Sequence, residues 1–333
     1  PLLVVSVGCP AGIGPEVSVR AAAQLGGTPA VLVGDEATLR RAARLVGVSE
    51  KKFVAFDGGS PSPGTIAIHS VGPELAEADV VPGRPSERAG AAQLEYIEAA
   101  YALAREKKHR SLVTGPVSKA AIARSGLRRA RHFLGHTEWL RDLDRAKSSV
   151  MCFASERLVT SLVTTHVPLA RVPRELTPEG VSTATIELVH LLRALGHRKP
   201  RVAVSSLNPH AGESELLGSE ERRAIVPGIE AARRALGRRA ELVGPIGAET
   251  AYRKAYAGAF AGVVAMYHDQ ATIPMKLVAF GDAVNVTMGL GVVRTSVDHG
   301  TAYDIAWQGR ADADGMLAAM RLAARLSRGA RGG

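Results

Sequence analysis

Only two cysteines, Cys9 and Cys152, occur in 333 residues, which excludes a disulfide framework and a zinc site built from four thiolates. No apolar run approaches the roughly 18 residues needed to cross a bilayer as a helix, so no membrane association is expected. Aromatic residues make up 4% of the chain. The basic clusters, such as Arg128, Arg129 and Arg131 or Arg233, Arg234, Arg238 and Arg239, have no aromatics between them. The stacking surfaces of a nucleic-acid binder are therefore missing, and the formal net charge of +10 is expected to solvate the surface or draw in a small anion instead. Nothing ahead of the strand-like run at Leu2 has the basic and apolar regions of an export signal, so a cytoplasmic enzyme is the expectation.

What is present is an ordinary globular composition, 46% hydrophobic and 22% charged, in a chain long enough for two domains or one large domain with a deep cleft. Short β-branched runs alternate with Ala/Leu/Arg-rich amphipathic stretches, the pattern of parallel strands joined by crossover helices, so the fold class is α/β. Strands are predicted at 2–7, 30–33, 111–114, 149–153, 158–164, 201–206, 262–266 and 284–288, and helices at 15–25, 91–106, 178–195, 219–236 and 314–326. Residues 57–64 and 82–87 read as surface loops from their Gly, Pro and Ser content. No repeat of constant period is visible, and the Arg/Gly tail from Arg328 onward is expected to fray.

The polar motifs begin where apolar strand-like runs end. Ligands of open α/β sheets sit at the carboxyl ends of strands, so these motifs are expected to converge. Three histidines obey the rule: His166 in Thr164-Thr165-His166-Val167-Pro168, His210 in Asn208-Pro209-His210-Ala211-Gly212-Glu213, and His268 in Tyr267-His268-Asp269-Gln270. Three neutral imidazoles from separate strand ends can form an open metal site. They can equally be hydrogen-bonded loop or core residues, since no local signature such as HExxH joins them.

A second group is cationic or amide-bearing: His136 and Thr137, Lys276, Asn285 and Arg294. Arg grips carboxylate or phosphate bidentately and Lys supplies a compact charge, which suits a small, multiply anionic ligand; singly, each also reads as a surface salt-bridge residue. The run Gly8-Cys9-Pro10-Ala11-Gly12-Ile13-Gly14-Pro15-Glu16 follows the first strand and enters the first helix. It is neither GxGxxG nor GxxxxGK[ST], and an anion-binding loop and a structural tight turn are both consistent with it.

Six segments in order resemble the 4-hydroxythreonine-4-phosphate dehydrogenase family: Pro10-Ala11-Gly12-Ile13-Gly14-Pro15-Glu16, Thr114-Gly115-Pro116-Val117, Gly135-His136-Thr137-Glu138, Asn208-Pro209-His210-Ala211-Gly212-Glu213, Tyr267-His268-Asp269-Gln270 and Arg294-Thr295-Ser296-Val297-Asp298-His299-Gly300-Thr301-Ala302. The resemblance runs from Val5 to about Asp312. It implies an isocitrate/isopropylmalate dehydrogenase-like fold, with two α/β/α lobes around a central cleft and a homodimer whose active sites use both subunits. Residues 1–130 with about 290–333 would form the cofactor-side lobe, and about 131–289 the metal, substrate and dimer-forming lobe.

The resemblance further implies that His166, His210 and His268 bind one divalent metal per site (Zn, Co, Mn or Mg), and that His136, Thr137, Asp269, Lys276, Asn285 and Arg294 hold a phosphorylated substrate. Glu249 stands where a substrate-contacting Asp is usual. His299, Gly300, Ala302 and Asp304 would receive the adenosine part of NAD or NADP without a GxGxxG fingerprint. Lys276 or Asp269 would move the proton. The implied reaction oxidises 4-phosphooxy-L-threonine at C3 and decarboxylates the product to 3-amino-2-oxopropyl phosphate, in pyridoxal 5'-phosphate biosynthesis. Cys9 replaces a usual Asp, Ser118 a usual His, and Trp307-Gln308 smaller residues, so a related dehydrogenase of threonate or erythronate 4-phosphate is the alternative. An NAD-independent three-histidine metallohydrolase and a non-catalytic binding protein are rivals from other classes.

Overall fold

Leu2–Ser6, Ala30–Gly34 and Arg110–Thr114 are buried at every position, which is what strands covered by helices on both faces require. The computed structural model describes residues 1–329, and they form two compact units.

Along the chain the first unit begins with β1 (Leu2–Ser6), α1 (Gly14–Ala23), β2 (Ala30–Gly34), α2 (Glu36–Leu45), β3 (Phe53–Ala55) and β4 (Ile66–Ser70). It continues with α3 (Glu87–Glu106), β5 (Arg110–Thr114), α4 (Lys119–Ala123) and α5 (His136–Asp144), as far as Ala146. The second unit, Lys147–Gly289, holds β6 (Val150–Ala154), β7 (Val159–Leu162), α6 (Val172–Glu175), α7 (Pro178–Ala194), β8 (Arg201–Ser205) and α8 (Val226–Leu236). It is completed by β9 (Glu241–Ile246), α9 (Ala248–Tyr256), β10 (Gly262–Ala265), α10 (His268–Ala279) and β11 (Val284–Met288). From Leu290 the chain returns to the first unit with β12 (Arg294–Ser296) and α11 (Asp314–Gly329).

The helices start where the chain offers a side-chain acceptor or a proline. Asp35 accepts the Thr38 amide at the head of α2 (2.8 Å), Ser86 the Ala89 amide ahead of α3 (3.0 Å), and Thr177 the Gly180 amide ahead of α7 (3.1 Å). Proline opens α1, α7 and α8, where its missing N–H would have no partner in any case.

In the first unit the strand order is β3-β4-β2-β1-β5-β12 and every pairing is parallel. In the second the order is β11-β6-β7-β10-β8-β9, with β7, β10, β8 and β9 parallel and β6 antiparallel to both its neighbours. The core of the second unit packs Phe153, Leu162 and Val263 against Met275 of α10 and Tyr252 of α9.

Strand β11 has the predicted bounds, and the other predicted strands are each present within two residues at either end. Four strands, β3, β4, β9 and β12, and the helices α2, α4, α5, α6, α9 and α10 were not predicted. The first compact unit extends to Ala146 and takes in α5. The tail expected to fray from Arg328 is helical through Gly329, and residues 330–333 lie outside the described residues.

The glycine-rich run is a structural turn. Residues 7–18 are all buried, and the amides at its apex have protein partners: Cys9 N–H donates to Pro116 O (2.8 Å), Gly12 N–H to Cys9 O (3.1 Å) and Ile13 N–H to Thr301 O (3.1 Å). Gly8 has φ of 81°, and a Cβ there would run into the Pro116 carbonyl, so only glycine fits this approach. The Glu16 carboxylate, 1% exposed, accepts the amides of Trp307 and Gly309 (both 2.8 Å), while the Trp307 indole donates to Pro10 O (2.9 Å). The run is thus the floor under residues 299–309, and Trp307 is its anchor, with the Arg41 guanidinium 4.4 Å above the indole.

Glu16→Ala strands one buried and one half-buried amide, and we expect it to cost about 3 kcal/mol, read as a lowered urea midpoint. An unchanged midpoint would contradict the anchoring role.

Candidate active site

Strands β7, β10 and β8 are parallel neighbours, and each leads at its carboxyl end into one of the three histidines: His166, His268 and His210 respectively. The ends are stitched together. Thr164 donates to Met266 O through both its amide (3.2 Å) and its hydroxyl (2.8 Å). Gln270 accepts the Met266 amide (2.6 Å) and donates to Ser206 O (2.9 Å), which ties the end of β10 to that of β8.

The rings of His166 and His268 lie 5.8 Å apart, centroid to centroid, with 38° between their planes. His268 Nδ1 is 2.7 Å from Asp269 Oδ1. A carboxylate on Nδ1 holds the proton there and leaves Nε2 with its lone pair, the arrangement typical of a ligating histidine. His210 sits in a left-handed turn with φ of 51°. Among the described residues no three His, Cys, Asp or Glu side chains of one chain are grouped to hold a metal ion. The structure therefore brings His166 and His268 together and leaves His210 outside their pair. The donor set, imidazoles with a carboxylate behind one of them, fits a divalent transition metal.

A cavity of about 150 Å³ lies at the carboxyl ends of β5 and β12, with Thr114, Lys119, His136, Ser296 and His299 in its lining; of the predicted anion-binding residues, His136 lines it. His136 and Thr137 form the first turn of α5 behind Gly135. Phe133 stands edge-on to the His136 ring, 6.1 Å between centroids. His136 Nε2 is sealed from solvent with no hydrogen-bond partner among the described residues. Burial, reinforced by the charges of Arg294 and Lys119, pushes the imidazole well below its ordinary 6.5, so it is neutral at physiological pH. Arg294 is 2% exposed and donates through Nη2 to the Thr114 hydroxyl (2.7 Å). Burial pulls its guanidinium down to about 10, with Glu138 opposing, and it remains charged.

The other predicted residues are placed as follows. Lys276 is exposed on α10, and Asp269 is exposed beside His268. Asn285 is the second residue of β11 and its Oδ1 is buried without a partner among the described residues. Glu249 is exposed in the first turn of α9. His299, Gly300 and Asp304 are exposed, and Ala302 has φ of 42°. Cys9 and Tyr303 meet at 3.5 Å (Sγ to Oη), and burial raises both, the tyrosine to about 12. Ser118 caps α4 through its hydroxyl (3.2 Å from the Ala121 amide). Sequence reasoning missed Lys119 and Thr114 of the cavity; their position at and just past the end of the run 111–114 was the available signal.

The family model of pyridoxal phosphate biosynthetic protein PdxA matches residues 27–323. The chain is 40% identical to the 4-hydroxythreonine-4-phosphate dehydrogenase of Geobacter metallireducens, over 98% of this chain and 96% of the relative. It is 37% identical to the D-threonate 4-phosphate dehydrogenase of Pectobacterium atrosepticum, over 98% and 99%. Among solved structures, that of 4-hydroxythreonine-4-phosphate dehydrogenase from Klebsiella pneumoniae superimposes with a TM-score of 0.84 at 37% identity, covering 98% of this chain and 99% of that one.

A neutral buried His136 has a pH signature. As pH falls below 6.5 the unfolded chain takes up a proton that the folded chain refuses, so stability is lost on the acid side, by at most about 1.4 kcal/mol per pH unit. Urea unfolding at several pH values below 6.5 should show a shallower loss in His136→Phe than in the wild type. Equal slopes would contradict the assignment.

Proposed function

The chain belongs to the family of pyridoxal phosphate biosynthetic protein PdxA, and on that premise we propose that it is an NAD(P)- and divalent-metal-dependent dehydrogenase of a four-carbon phosphate ester. Its substrate is 4-phosphooxy-L-threonine, oxidised at C3 and decarboxylated to 3-amino-2-oxopropyl phosphate. The observation that most supports this reading is the succession of β7, β10 and β8, each running into one of three histidines. The reading carries with it the isocitrate/isopropylmalate dehydrogenase-like arrangement of two α/β/α lobes.

The homodimer is part of the proposal. Helix α10, which begins at His268, exposes Ile273 and Leu277 at 66% and 84%, Phe280 just past its end is 85% exposed, and Leu216 beyond His210 is 81% exposed. Apolar surface of this kind marks an interface. A second copy covering it would complete a site that one chain leaves short of a third ligand.

In the mechanism His166, His210 and His268 would hold the metal ion, and His299, Gly300, Ala302 and Asp304 would receive the cofactor. Bound there, the ion would supply Lewis acidity and the nicotinamide would supply a hydride acceptor. Arg294, Lys119 and the first turn of α5 at His136 and Thr137 hold the phosphate, which anchors the non-reacting end and aligns the C3–H bond. Asn285 and Glu249 contact the amino-acid end. Lys276 or Asp269 takes the alcohol proton and returns one to carbon when carbon dioxide leaves.

The second reading, dehydrogenation of D-threonate 4-phosphate, is favoured by the relative of that name at 37% identity and by the departures at Cys9, Ser118 and Glu249. Purified protein with NAD and a divalent metal, given each substrate in turn while NADH absorbance is followed, distinguishes them. Turnover of 4-phosphooxy-L-threonine supports the first reading, and turnover of the sugar acid alone rejects it.

Arg294→Ala should raise KM for the phosphate ester by about tenfold or more, the loss of a charge-assisted hydrogen bond; an unchanged KM would exclude contact. His210→Ala should lose metal and turnover with the fold intact, and a metal-replete, fully active variant would refute its ligand role.

A further inference from the structure

The turn that carries His210 has a conformation that its side chains resist. His210 and Ala211 have φ of 51° and 55°, and Glu213, Ser214 and Glu215 follow at 43°, 56° and 75°, a region in which Cβ crowds the backbone carbonyl. The His268 ring has Asp269 on its Nδ1; for His210 the strained backbone turn fixes where the side chain departs from the chain.

That backbone is gripped from one place. Glu221, 6% exposed, stands at the start of a π-helical turn, Glu221–Ile225, that precedes α8. Its Oε1 accepts the amides of Leu207 (2.9 Å) and Asn208 (2.8 Å), and its Oε2 accepts the Asn208 side-chain amide (3.0 Å). Glu220 Oε2 accepts from the same Asn208 Nδ2 (2.8 Å). On the far side of His210, Gly212 comes so close that a Cβ on it would lie 2.9 Å from Glu221 Oε2. One buried carboxylate thus hydrogen-bonds the chain just before the histidine and leaves no room for a side chain at Gly212 just after it.

We propose that Glu221 is a positioning residue for His210, its carboxylate holding the chain that enters the turn so that the imidazole faces a divalent cation. The inference rests on the metal reading above. A buried carboxylate is costly unless its acceptor sites are filled, and three of the donors that fill these belong to the two residues ahead of Pro209-His210. The role is the backbone counterpart of what Asp269 does for the His268 ring.

The test uses the full chain, stripped of metal and titrated with cobalt(II), followed by its visible absorption and by calorimetry. The unfolding temperature and circular dichroism of the metal-free protein are recorded alongside. We expect wild-type protein to bind cobalt, His210→Ala to lose it, and Glu221→Ala to remain folded with its affinity lowered about 10- to 100-fold. Glu221→Gln, which keeps a carbonyl acceptor for the two backbone amides, should recover part of that loss. Glu221→Ala binding cobalt as the wild type does, while His210→Ala fails, would overturn the inference and leave the metal reading standing. Wild-type protein that takes up no cobalt would overturn the metal reading and the inference with it. If Glu221→Ala does not fold, Glu221→Gln decides: a several-fold weaker affinity in a protein of unchanged circular dichroism supports the role, and wild-type affinity refutes it.

Discussion

Neighbouring parallel strands are held about 4.8 Å apart by their hydrogen-bond ladder, and the histidine end of the second unit depends on that spacing. β7, β10 and β8 stand side by side, so segments remote in the chain emerge within reach of one another. The bonds from Thr164 to Met266 and from Gln270 to Ser206 hold those ends in register. His166 and His268 inherit their proximity from this frame. His210 stands on a longer turn, and its place depends on contacts beyond the strand ladder.

The first unit uses electrostatics. Arg294 sits inside the sheet on β12 with its guanidinium on the Thr114 hydroxyl, Lys119 lines the cavity that Thr114 also borders, and burial, helped by these two charges, keeps His136 neutral. An imidazole without a proton on one nitrogen can accept as well as donate, so the cavity pairs cations with a neutral, adaptable partner. Glu138 offsets part of the charge on Arg294. An anion entering such a place replaces hydration with groups already in position.

Much of this was legible in the sequence because apolar runs that end in polar motifs are the mark of strand ends. The rule placed the three histidines after β7, β8 and β10 without any structural knowledge. It failed where runs are short or interrupted. β3 spans only Phe53–Ala55, β4 follows a Gly/Pro/Ser loop, and β9 contains Gly244 and Pro245. Helices α5 and α10 begin on the motif residues themselves, and α10 contains Pro274, so both looked like loop. The glycine-rich run stayed ambiguous because a sequence does not say where its amides go; in the folded chain those of Cys9, Gly12 and Ile13 are taken. Glu221 lay hidden in a stretch that reads as the charged face of a helix. A single lysine such as Lys119 is ordinarily a surface residue, and its cavity exists only once β5, α5 and β12 are assembled.

The central claim is that imidazoles from three strand ends share one divalent ion. X-ray absorption at the metal edge of zinc-loaded protein in its native assembly tests it most directly. The account predicts three imidazole nitrogens per zinc at about 2.0–2.1 Å, with one fewer when any of His166, His210 or His268 is removed. A shell of oxygen donors alone, indifferent to those substitutions, would contradict it.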